Sequence, residues 1–185
     1  GTISTEQSWE KIEDANNYYV GLQSSLRAIS GGGYNYVSEC QSDLFNEVRG
    51  SSSQNQVHEW TFTTSQFGGD AVWTGNYSLI CSANNIINNI DNIEVETEED
   101  KSYLDMIKGT AYFARAYGYA NMVNRYCKNY DAATAANELG LPLVTKVDVN
   151  AKPARASLEQ TFQQIMSDIT KAEALLPVYQ ETSVP

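Results

Sequence analysis

One long run of helical periodicity, from Thr97 to about Tyr130, limits what this chain can become. Thr97-Glu98-Glu99-Asp100 reads as an N-cap followed by acids that suit the positive end of a helix dipole. Thirty-odd residues at 1.5 Å each make roughly 50 Å of helix. Two seams run along it. One is bulky: Tyr103, Met106, Thr110, Phe113 and Tyr117. The other is small: Ala111, Ala114 and Gly118, with Leu104 and Ile107 above them. Small residues let a neighbouring backbone approach closely. A helix with two seams sits between two others, so the spacing predicts a helical stack.

Three further stretches fit that stack. Trp9, Ile12, Ala15, Tyr19, Leu22, Leu26 and Ile29 keep a 3.6-residue period over Ser8–Ile29. Thr5 or Ser8 would cap this helix, and Ser30-Gly31-Gly32-Gly33 would stop it. A second helix is predicted from an Asp70 N-cap to about Ile93, with Trp73, Tyr77, Ile80, Asn84, Ile87 and Ile90 inward. Asn84 is the polar member of that stripe, expected as a buried amide bonded to a neighbouring helix or loop. The last helix opens on Ser157-Leu158-Glu159-Gln160, a capping-box pattern, and ends at Pro177. Its inward face is Phe162, Ile165, Ile169, Ala172, Leu175 and Leu176. Ala132–Glu138 could form a turn or two. Leu139–Val144 reads as an extended apolar piece, barred from a central strand by Pro142 and laid across helix ends. The expectation is a mostly all-α fold: four helices, no sheet, and a tetratricopeptide-like helix stack carrying one long loop.

That loop runs from Gly31 to Gly69, without periodicity but with Tyr34, Tyr36, Phe45, Trp60, Phe62 and Phe67 among Ser, Gln, Asn and Gly. Loops this long in compact domains are usually functional or disordered. Sugars present apolar C–H faces and many hydroxyls. A flat Trp or Tyr stacks on the face, and amides or Arg bond the hydroxyls. Trp60, Tyr34 and Tyr36, with Arg49 and Asn55, supply those types. The other reading keeps Trp60 and Phe62 as pins holding the loop on the helices, and these residues alone leave both open.

Charge and motifs exclude more than they assign. Twelve basic against 23 acidic residues give a net charge of −11 among 185 residues. That disfavours phosphate backbones and docking on anionic lipid through a basic face. His58 is the one histidine, so no His-rich metal site is expected, and no cofactor. Cys40, Cys81 and Cys127 form no CxxC pair and are read as free thiols, although one pair is open. No G-x-S-x-G, P-loop or dinucleotide fingerprint occurs. Asn76-Tyr77-Ser78 matches the N-glycosylation pattern but falls mid-helix and is read as coincidence. No run of about 18 apolar residues exists. Gly1 reads as a processed or trimmed start.

The helices carry a resemblance. Trp73-x3-Tyr77-x2-Ile80-x3-Asn84-x-Ile86-Ile87-x2-Ile90 resembles the W…Y..I..aN.ii..i helix of SusD/RagB-like proteins. Gly109-Thr110-Ala111-Tyr112-Phe113-Ala114-Arg115-Ala116-Tyr117-Gly118-Tyr119 is similar to the family's G.A.F.RA..Y helix. Leu139-Gly140-Leu141-Pro142-Leu143-Val144 resembles its GlPLv segment. Arg155 to Pro177, with Asp168, resembles its R.s..e.y..I..DL..A..LLP helix. The four occur in the family's order over about 73–177, and Ser42-Asp43-Leu44-Phe45 is compatible with it.

The resemblance implies a surface lipoprotein of the outer membrane that binds glycans or other nutrients and caps a SusC-like TonB-dependent transporter. It implies that Trp73, Tyr77, Asn84, Arg115, Tyr117 and Asp168 are scaffold, that ligand contacts come from the loop before the W…Y..I helix, and that residues 1–185 are the N-terminal helical part of a longer protein. The anchoring cysteine would lie upstream of Gly1, so the membrane is met only through a lipid. The leading expectation is a non-enzymatic oligosaccharide-binding component. Its rivals are a tetratricopeptide-like protein-interaction module and, on the acid count alone, a glycosidase.

Overall fold

The computed structural model describes residues 9–30, 71–146 and 153–178. Helix α1 spans Ile12–Ile29, α2 spans Ala71–Asn89, α3 spans Glu98–Tyr126 and α4 spans Leu158–Leu175. Two short strands, β1 (Leu139–Pro142) and β2 (Arg155–Ser157), pair antiparallel. The mostly α-helical class stands, and the pair of strands corrects the expectation of no sheet. Pro142 is tolerated because β1 has a strand on one side only.

The helix ends follow local chemistry. Thr97 Oγ1 accepts from the Asp100 N–H at 3.1 Å, as its position predicts. The capping box of α4 is present: Gln160 N–H donates to Ser157 Oγ at 3.1 Å, and Ser157 N–H to Gln160 Oε1 at 3.0 Å. The next two amides, Leu158 and Glu159, donate to the carbonyls of Glu138 and Ala135 in the turn before β1. Helix α1 departs from expectation. Its N-cap is Lys11, and the Asp14 carboxylate accepts from the Lys11 and Glu10 amides. Thr5, Ser8 and Asp70, the other predicted caps, lie outside the described residues. Helix α2 tightens into a 3₁₀ turn at Ile90–Asn92. Helix α3 ends at Tyr126, four residues short of the predicted end, because Cys127 is extended (φ −121°, ψ 162°).

Helix α3 is the hub. Fifteen of its 29 residues are buried, so its two predicted seams merge into burial on nearly every side. Leu104, Ile107, Ala111 and Ala114 form one core with Ala15 and Leu22 of α1 and Leu79, Ala83 and Ile86 of α2. Phe113, Tyr119, Met122 and Val123 form a second with Leu141 of β1 and Leu158, Ile165 and Ile169 of α4. Close approach is built in on both flanks. A Cβ on Gly118 would stand 3.0 Å from Ile80 Cγ1, and one on Gly109 would stand 2.8 Å from Leu176 Cγ. The buried face of α2 is rotated from its predicted stripe. Asn76, Leu79, Ile80, Ala83, Asn84 and Ile86 are buried, while Trp73, Tyr77 and Ile87 are half-buried.

Candidate functional site

Two features of the described residues bear on function: a buried polar network that fixes the stack, and an open cleft at one end of it. The network starts at Arg115, on the face of α3 turned towards α4. Its Nε donates to Asp168 Oδ2 at 2.8 Å and its Nη2 to Asp168 Oδ1 at 2.7 Å. Its Nη1 donates to Asn84 Oδ1 at 2.9 Å. Gln164 Nε2, one turn before Asp168, donates to the same Oδ1 at 3.1 Å. Burial opposes the Arg115 charge, but the hydrogen bond and negative charge of Asp168 outweigh it and hold the guanidinium above its ordinary value.

The network continues into the segment that carries β1. Asn84 Nδ2 donates to the Val144 carbonyl at 2.9 Å, so its amide reaches both a helix and a loop, as expected. Tyr119 Oη donates to the Val144 carbonyl at 3.0 Å and accepts from the Val144 N–H at 2.6 Å. Tyr77 Oη donates to the Pro142 carbonyl at 2.7 Å, and Leu141 N–H donates to Thr161 Oγ1 at 3.1 Å. Arg155 Nε donates to the Gly140 carbonyl at 2.6 Å. Side chains from three helices thus bond the backbone of one extended segment that two strands alone would leave unsatisfied. Burial pushes the Tyr119 hydroxyl up to about 12 and, with Tyr119 and Cys127 nearby, raises the Tyr77 hydroxyl too. Burial pushes the Cys127 thiol up to about 11, the Arg155 charge working against it. These directions suit rigid structure; none prepares a nucleophile or a general base.

Asn84, Arg115 and Asp168 are therefore brought together, and Tyr77 joins them through the bonded segment. Trp73 lies against Tyr77 and edge-on to Tyr126. Tyr117 packs beside Phe113 and also lines the cleft. Asn76 is 2% exposed and bonded to the Val72 carbonyl, which fits the coincidental reading of its glycosylation pattern. The predicted ligand residues Trp60, Tyr34, Tyr36, Arg49 and Asn55, with His58 and Cys40, lie outside the described residues. Tyr119, Thr161, Gln164 and Arg155 were not expected as network members. Arg115 between Ala114 and Ala116 on a buried helix was the available signal for a buried ion pair.

The cleft, of about 660 Å³, opens where α1 ends and α2 begins. Ile29, Ala71 and Val72 give it an apolar wall. Asn121, Asn124 and Arg125 of α3 give it a polar one, and Gly75 leaves α2 bare between them.

Comparison with known proteins places the chain. A SusD-like family model described as "Starch-binding associating with outer membrane" matches residues 6–185. A solved structure described as a sugar-binding protein from Bacteroides vulgatus is 27% identical, with a TM-score of 0.53 over 60% of this chain. SusD superfamily proteins from Bacteroides vulgatus and Bacteroides thetaiotaomicron, each 19% identical, share the fold at TM-scores of 0.62 and 0.59 over 93% and 90% of the chain. The chain spans 24%, 39% and 38% of those three structures respectively. No curated protein matches it. With the family model matched over nearly the whole chain, this protein belongs to the SusD-like family.

Proposed function

We propose that this chain is the N-terminal helical part of a non-catalytic glycan-binding component at the cell surface, working with a TonB-dependent transporter of the SusC type. The observation that carries this reading is membership, over residues 6–185, of a family described as starch-binding and associated with the outer membrane. The sugar-binding description of one solved relative supports the same ligand class. A lipid attached upstream holds the protein to the outer membrane, and the oligosaccharide passes from it to the transporter. Trp60, Tyr34 and Tyr36 stack on sugar faces, while Arg49 and Asn55 bond hydroxyls.

Calorimetric titration of the full-length protein with a glycan panel tests this, alongside co-purification with the transporter. Saturable binding without product release is the expected outcome. Absence of binding to every glycan, with no transporter retained, would exclude it. The stacked helices favour one second reading, a tetratricopeptide-like module for protein segments, which predicts peptide binding and no sugar response. Turnover in a sensitive product assay on polysaccharides would instead support a glycosidase.

A further inference from the structure

We draw no further inference here: the strongest candidate, the uncharged outer face of α2 along Thr74, Ser78 and Cys81, is a helix face for which nothing in the structure shows what covers it.

Discussion

Arg115 and Asp168, 53 positions apart in the chain, meet through two parallel hydrogen bonds of 2.8 and 2.7 Å, with side chains only 5% and 0% exposed. The pair joins α3 to α4, and Asn84 extends it to α2. A fork of guanidinium donors matches a carboxylate in direction as well as charge, so the contact fixes how the helices are rotated against one another.

Breaking one side of this pair should be far costlier than removing both. Asp168→Leu alone leaves a buried guanidinium without its counter-charge, an expected loss of about 3–5 kcal/mol. Arg115→Met combined with Asp168→Leu replaces the pair by apolar groups and should cost much less than the two single changes added together. Urea unfolding of the four proteins gives the coupling directly. Additive losses would show that the pair does not act as a unit.

Two glycine-to-alanine changes should move stability in opposite directions. At Gly75 a methyl group meets open space in a helix, so Gly75→Ala should stabilise by about 0.5–1 kcal/mol. At Gly140 the methyl would be driven into Thr161 Oγ1 and the Ser157 carbonyl, where β1 passes the start of α4. Gly140→Ala should therefore destabilise by about 1–3 kcal/mol. Thermal melts of both proteins check the signs.

Alkaline pH should unfold the protein through its buried phenols and thiol. Tyr119 ionises at about 12 in the fold against an ordinary 10.0, and Cys127 at about 11 against 9.0. Below pH 9 both groups are protonated in folded and unfolded chains, and the stability they contribute is fully present. As pH rises from about 9 to 12 the unfolded chain loses those protons first, so stability falls across that window. Absorbance at 295 nm should show Tyr119 ionising only as the fold is lost. A single titration of all 12 tyrosines near 10, with the fold intact, would contradict this burial.

The helices were legible because their signals are local. The Ser157 capping box, the Thr97 cap and the 3.6-residue apolar spacing each lie within a few residues of the structure they specify. The family resemblance was legible for a related reason: its four motifs sit on those helices, and Asn84, Arg115 and Asp168 are motif residues that the fold gathers into one network. What escaped the sequence depends on distant partners. β1 passes close to Ser157 where Gly140 leaves room, and Tyr119, though a motif residue, shows its role only once Val144 is beside it. The cleft is less legible still, since Ile29, Gly75 and Asn121 share no spacing and meet only through helix packing.

The most direct measurement is calorimetric titration of the full-length protein, unsubstituted and as Trp60→Ala, with the glycan panel. The account predicts saturable binding to at least one glycan, weakened by about 1–3 kcal/mol when Trp60 is removed. A folded protein that binds no glycan would contradict the account.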